Sequence, residues 1–268
     1  MTVTVATPAL RMTVLCDNGV ARRSARGVHG LAVLVETPDR RLLFDTGPNA
    51  TVATNADVLE VALAPLDAIV LSHGHYDHIG GLETVLQATG PTPVVAPATL
   101  FGASHHYKRN AVTRYVGPPL SEETYRRLGA EFTWHGQPEA AAALGPGCVA
   151  TVVSDELALV ARLPDYSVVL TGCAHGGPAA VVRQARELTE AAAPRVLIGG
   201  LHLGDAPVSA VHRLALRLHA LGMRSILPCH CTGPQGTLAL KESFLGDVRT
   251  IGSGTVLEFD TDGAMQIR

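Results

Sequence analysis

His73-Gly-His-Tyr-Asp-His78 is the stretch on which the reading of this chain turns. It follows Asp67-Ala-Ile-Val-Leu-Ser72, an apolar run of strand length, and precedes Gly80-Gly81 and Leu82-Glu-Thr-Val-Leu86, which reads as the opening of a helix. The polar side chains therefore sit on a strand-to-helix turn. Alternation along an extended backbone puts His73 and His75 on one side. Asp77 and His78 follow from the turn itself and reach a second, neighbouring point. A bound cation needs lone pairs converging to about 2.0–2.2 Å from one centre. Three imidazoles and one carboxylate within six residues supply such a set. The bland alternative is a histidine-rich surface loop. A buried strand before the run and paired glycines after it argue against that.

The bulk properties narrow the classes. At 268 residues with 47% hydrophobic side chains, the chain has material for a sizeable core. One domain over residues 1–268 is expected; the Ala-, Pro- and Gly-bounded stretch 137–147 is a surface connection too weak to divide it. The apolar runs, around Leu31–Val35 and Val168–Leu170, are far short of the ~20 residues that span a bilayer. Met1-Thr-Val-Thr-Val is not a signal peptide. A soluble, cytoplasmic protein without a membrane partner is therefore expected. A formal charge of −3 and no long basic run exclude a broad cationic face for nucleic acid. Small anions stay open, because a few local Arg or Lys suffice to hold one. Cys16, Cys148, Cys173, Cys229 and Cys231 are odd in number and scattered, which points to reduced thiols rather than a disulfide framework.

Outward from the central run, Arg11–Cys16 reads as a strand, followed by a basic patch, Arg22, Arg23 and Arg26, that is either a solvated loop or an anion contact at the mouth of a site. Leu31–Val35 and Arg41–Phe44 form an expected hairpin across Pro38-Asp39. Asp45 ends it; a carboxylate at the end of a buried strand needs a partner, and support of a metal-bound His would give it one. Residues 51–64 are expected to be helical. Leu100–Tyr115 reads as a loop or helix overhanging the site, with Lys108 or Arg109 free to meet an anionic group. Three strand-then-helix units follow. Ser167–Leu170 ends in Gly172-Cys173-Ala-His175, Arg195–Ile198 in Gly199-Gly-Leu-His202, and Ser225–Pro228 in Cys229-His230-Cys231. A last strand, Thr255–Phe259, closes a β-rich first half and a β-α-β-α second half. Ligands gather at carboxyl ends of strands in α/β folds, and these strand ends carry the histidines.

The donor set exceeds what one ion needs, since a catalytic zinc takes about three protein ligands and leaves one place open. Two divalent ions share it best: His73, His75 and His175 on one; Asp77, His78 and His230 on the other. Zinc is the first expectation, with Mn2+ or Fe2+ as alternatives. His202 either binds metal or moves a proton beside it, and His29 either lines the site or serves a turn. Cys173 points the way His175 does and borders or bridges the ions. Cys229 and Cys231 flank His230, so on an extended segment they point away from it and pack.

These residues resemble the metallo-β-lactamase superfamily, on Asp45, His73 to His78 and the later strand-end histidines. The resemblance implies an αβ/βα four-layer sandwich: two mixed β-sheets packed face to face, helices outside, and a binuclear metal centre between the sheets. The chain is most similar to the dihydropteroate-synthase-like branch that includes 7,8-dihydropterin-6-yl-methyl-4-(β-D-ribofuranosyl)aminobenzene 5′-phosphate synthase. Val14-Leu-Cys-Asp-Asn18, Leu43-Phe-Asp-Thr-Gly47, Thr171-Gly-Cys-Ala-His175 and Pro228-Cys-His-Cys-Thr-Gly233 carry this likeness. Two departures stand out. Gly172-Cys173 replaces the Gly-Asp of many superfamily members, and Val28 replaces an acidic residue before His29-Gly30.

The branch implies an enzyme on a small anionic or phosphate-bearing metabolite, transferring a dihydropterin-methyl group with loss of diphosphate. Lys108, Arg109 and His29 are then the candidate substrate contacts. The rival is a binuclear hydrolase of an ester, lactone or phosphoester, with Asp77 and His202 as the proton-transfer residues. A third reading, from another class, is a metal-holding or sensing protein without turnover. A small-molecule substrate and a homodimer are the expected partners.

Overall fold

The computed structural model of the chain describes residues 8–102, 105–109, 112–136, 142–145, 147–189, 192–261 and 264–268; for 107–109 and 142–143 it describes the backbone alone. Two sheets dominate. In spatial order the first runs Met265–Ile267, Val256–Phe259, Leu10–Cys16, Ala32–Glu36, Arg41–Phe44, Ala68–Val70, Thr92–Pro97 and Ala130–His135. The second runs Asp247–Val248, Ser225–Pro228, Pro194–Gly199, Ser167–Thr171, Glu156–Arg162, Cys148–Val153 and Ala142–Ala143. Both are mixed. The first is antiparallel as far as Arg41–Phe44 and parallel beyond it. The second is parallel from Asp247–Val248 to Ser167–Thr171 and antiparallel beyond.

Side-chain alternation builds the layers. Leu10, Met12, Val14, Val33, Val35, Leu42, Phe44 and Val70 of the first sheet face Ala150, Val152, Leu157, Leu159, Val168, Leu170, Val196 and Ile198 of the second in one buried cluster. Their neighbours point outward. Leu15, Leu34, Leu43 and Ile69 meet Val52, Ala56, Leu82, Val85, Leu86 and Tyr125 from the helices Thr51–Val58, Leu82–Thr89 and Glu122–Arg127. On the far side Val160, Val169, Leu197 and Ile226 meet Val182, Ala185, Val211, Ala215, Leu218 and Leu240 from the helices Pro178–Thr189, Val208–Ala220 and Gly233–Ser243. The architecture is the expected four-layer αβ/βα sandwich. Strands with both faces covered read as near-continuous apolar runs, which is why Leu31–Val35 and Val168–Leu170 stood out.

Several elements differ from the expectation. The helix after Gly47 is Thr51–Val58, not residues 51–64, and the segment beyond it returns without regular structure to Ala68. Leu100–Tyr115 is neither plain loop nor helix: it carries the antiparallel hairpin His106–Arg109 with Val112–Tyr115. Ala130–His135 and Cys148–Val153 are strands that the sequence reading passed over. Of the expected surface connection, residues 137–141 and 146 lie outside the described residues. Among the described residues no helix is long and apolar enough to cross a membrane.

Asn55 ties the outer helix layer to the first sheet. Its Oδ1 accepts from Arg26 N at 2.8 Å, and its Nδ2 donates to Leu15 O at 2.7 Å and Arg26 O at 2.8 Å. Those bonds anchor the loop that follows Asp17 and Asn18. Asn55→Leu keeps the branched shape in a larger side chain but strands the buried Leu15 carbonyl and two half-buried backbone groups of Arg26. A stability loss of about 3 kcal/mol is expected, read as a lower urea midpoint; an unchanged midpoint would contradict this role.

Candidate metal centre

The functional side chains leave the carboxyl ends of strands from both sheets. The turn after Ala68–Val70 carries His73 and His75, and the short helix Tyr76–Ile79 carries Asp77 and His78. Backbone crowding dictates the glycine between the first two histidines: a Cβ at Gly74 would lie 2.3 Å from Leu100 O. The other sheet sends Cys173 and His175 from Ser167–Thr171, His202 from Pro194–Gly199, and His230 and Cys231 from Ser225–Pro228.

The outer ring nitrogens are held first. Asp45 is fully buried and accepts from Ser72 N and Ser72 Oγ, each at 2.7 Å. Its Oδ2 also accepts from His78 Nδ1 at 2.7 Å. Because the Ser72 hydroxyl proton is committed to Asp45, Ser72 Oγ accepts from His73 Nδ1 at 2.9 Å. Asn18 Oδ1 accepts from His230 Nδ1 at 3.0 Å and from Gly30 N at 3.3 Å. With each Nδ1–H committed, the Nε2 lone pairs of His73, His78 and His230 point inward. This is the arrangement that orients metal-bound imidazoles.

Inward, the lone pairs crowd. His73 Nε2 is 2.9 Å from His75 Nδ1, and His78 Nε2 is 3.1 Å from His230 Nε2. Nitrogens bound at 2.0–2.1 Å to one ion stand about 3 Å apart, so the donors fit divalent cations. Burial, and then the other imidazoles, push the proton affinity of His73 well down. The same order of causes takes His75 to about 4 and His230 to about 2. For His78 burial works the same way, but the Asp45 and Asp77 carboxylates outweigh it and hold it up at about 9. Asp77 is held below the usual carboxylate range, because His78 and His29 overcome the penalty of its burial. A cation can replace the proton on His78 between the two carboxylates.

The expected first set, His73, His75 and His175, brings its ligand atoms within 4.8 Å of one another. In the expected second set, Asp77 Oδ2 lies 3.8 Å from His78 Nε2 and 3.5 Å from His230 Nε2. His29, exposed at the rim, adds its Nε2 at 3.2 Å from Asp77 Oδ2. Cys173 Sγ sits 3.4 Å from His78 Nε2, between the groups. His202 is exposed, its ring 4.6 Å from that of His175. The side chains of Lys108 and Arg109 lie outside the described residues.

One expectation fails. Residues 229–231 are not extended: His230 has φ +48 and opens the 3-10 turn His230–Thr232. Cys229 stays in the inner core, but Cys231 is swung to the centre, within hydrogen-bond reach of the Cys173 and His202 side chains. Those bonds, that to Cys173 first, hold its thiol down at about 5 despite burial.

Glu156 was also missed. Its Oε2 accepts from His175 N at 3.0 Å, and its Oε1, which has no hydrogen-bond partner of good geometry, meets His175 Nδ1 and lies 3.6 Å from His73 Nδ1. Asp17, whose Oδ1 accepts from His230 N at 2.7 Å, completes the missed residues. Asp17-Asn18 reads locally as turn chemistry, and Glu156 stands alone; only the pairing of distant strands shows what either supports.

The pattern of the metallo-beta-lactamase superfamily matches residues 25–206. The chain belongs to the metallo-beta-lactamase superfamily. Membership implies divalent metal binding. A curated relative from Methanocaldococcus jannaschii, 7,8-dihydropterin-6-methyl-4-(beta-D-ribofuranosyl)-aminobenzene-5′-phosphate synthase, is 24% identical, over 86% of this chain and 90% of its own length. The uncharacterized protein MJ0448 of the same organism is 26% identical over 82% of this chain and 90% of its own. Among solved structures, Tm1679, a metal-dependent hydrolase of the beta-lactamase superfamily, superposes with a TM-score of 0.80 at 24% identity, covering 94% of this chain and 99% of that one.

His75→Ala and His230→Ala act on opposite halves of the donor set. Each is expected to remove about one equivalent of bound divalent cation, measured by elemental analysis of the purified full chain. Asp45→Ala is expected to weaken cation affinity roughly 10–100-fold by freeing the His78 ring. Unchanged stoichiometry in both histidine variants would contradict the assignment.

Proposed function

We propose that the chain is a metal-dependent enzyme acting on a small anionic or phosphate-bearing metabolite, by transfer of a dihydropterin-methyl group to an aryl acceptor with loss of diphosphate. The observation that carries this reading is a cavity of about 280 Å³ that opens directly onto His73, His75 and His175. Its other walls are Gly74, Thr99, His105, Ser154, Asp155, Glu156 and Gly176. A space of that size takes a small molecule. Its polar walls, with Asp155 and Glu156 among them, suit a heteroaromatic ring that presents amino and ring N–H donors, as a pterin does. The likeness to the archaeal synthase over most of both chains supports the same choice.

Two ions are proposed, zinc before manganese or iron, one on His73, His75 and His175 and one on Asp77, His78 and His230. When bound, they supply Lewis-acid charge to the departing diphosphate. The protein's own groups do the rest. Ser72, Asp45 and Asn18 keep the imidazole lone pairs turned inward. Asp77, held ionised beside His78 and His29, serves as the carboxylate of the second ion, and the proton that the aryl acceptor's nitrogen gives up as the new C–N bond forms leaves with the diphosphate. His29 at the rim and Lys108 and Arg109, on the strand that follows His105, are the proposed contacts for the anionic end of the substrate. His202 does not line the cavity; it turns to Cys231 and takes no part in this step.

Incubating the metal-loaded chain with a dihydropterin-methyl diphosphate and a phosphoribosyl-aminobenzene acceptor tests the reading. Coupled product with released diphosphate is expected. Water-derived pterin alcohol alone would replace transfer by hydrolysis, and no turnover at all would leave a cation-holding protein. Asp77→Asn is expected to lower kcat roughly 10–100-fold by weakening the second ion, measured in the same assay; an unchanged kcat would remove Asp77 from the ligand set.

A further inference from the structure

We propose a separate, sulfur-rich cation site at the edge of the centre, built by Cys173, Cys231 and His202 for a soft divalent ion of the zinc type. It stands apart from the reaction assigned above. The ligand atoms of the three residues lie within 4.8 Å of one another. They come from three separate strand ends: Ser167–Thr171, Pro194–Gly199 and Ser225–Pro228. Two sulfurs and one imidazole are a donor set that zinc accepts in tetrahedral geometry, with the fourth place left open. Such softness selects zinc over manganese or magnesium. The exposed His202 ring puts the open place on the solvent side of the cleft.

The backbone is bent to make this convergence. His202 and His230 have φ of +52 and +48, in the left-handed region that side chains rarely adopt. The turn at His230 is what carries Cys231 inward. The turn at His202 points its backbone N–H at Cys231 Sγ, 3.3 Å away, a contact that favours a thiolate. Gly200 clears the space: a Cβ there would lie 2.6 Å from Cys231 Sγ. A turn, an amide and a glycine thus all serve one sulfur that the His-and-Asp set does not use. Cys173 is the shared border, with His78 Nε2 at 3.4 Å.

Stripping the full chain with a chelator and titrating it with Co2+ under reducing conditions tests the site. A sulfur-to-cobalt charge-transfer absorption in the near ultraviolet is expected to grow with one equivalent of the ion. Cys173→Ser and Cys231→Ser should abolish it, and His202→Ala should weaken it at least severalfold, while the visible cobalt absorption of the histidine sites remains. Cys148→Ser, buried in the inner core, should keep the full band and shows that losing a thiol is not enough. Circular dichroism confirms that each variant is folded. No charge-transfer band in the wild-type chain would overturn the proposal, as would a band that survives Cys231→Ser. So would a thiol titration of the protein purified without reductant that finds Cys173 and Cys231 joined in a disulfide. The band is read without substrate, so it stands or falls independently of the coupling assay.

Discussion

Two imidazole nitrogens face each other across the gap between the sheets. His78 belongs to the first sheet's turn and His230 to the second's, and their Nε2 atoms are 3.1 Å apart. Each ring's other nitrogen is already committed, to Asp45 and to Asn18. The two nitrogens tolerate that distance only with positive charge between them: the proton that Asp45 and Asp77 hold on His78, or the cation that replaces it. The sandwich core brings the strand ends together, and a cation makes the meeting favourable. Fold and chemistry are coupled at that point.

The surrounding backbone is consistent with a site held in place by its scaffold. Asp45, Ala174, His202 and His230 all have positive φ, between +48 and +56, without being glycine. Such conformations cost about 1–3 kcal/mol each and persist where the surroundings over-determine them. Here the surroundings are a buried Asp45–Ser72 pairing and two sheets whose inner faces are closed by one apolar cluster. Gly172 shows the same tightness, since a Cβ there would lie 2.1 Å from Ser72 Oγ. The hydroxyl that orients His73 and Asp45 leaves no room for a side chain on the opposite sheet.

Much of this was legible in the sequence, for a local reason. The run from His73 to His78 places its donors by spacing alone, and the histidines at 175, 202 and 230 follow apolar runs that can only be buried strands. Asp45 was legible because a carboxylate closing such a strand demands a partner. What escaped depended on pairing between distant segments or on a single dihedral. Glu156 opens an ordinary strand, and its role exists only because Glu156–Arg162 lies beside Ser167–Thr171. Asn18 sits in a loop where Asp-Asn-Gly means turn until His230 is brought against it. Cys231 was placed wrongly because alternation assumes extension, and His230 breaks it with one left-handed turn. Short edge strands such as Ala130–His135, exposed and polar along much of their length, carry little period-two pattern to read.

The central claim is that cations join the two sheets through these imidazoles. Anomalous diffraction at the zinc edge, from crystals of the full chain grown with zinc, tests it most directly. The account predicts peaks beside His73, His75 and His175 and beside Asp77, His78 and His230, about 3.5–4 Å apart as in binuclear sites. An absence of anomalous density in contact with both His78 and His230 would contradict it.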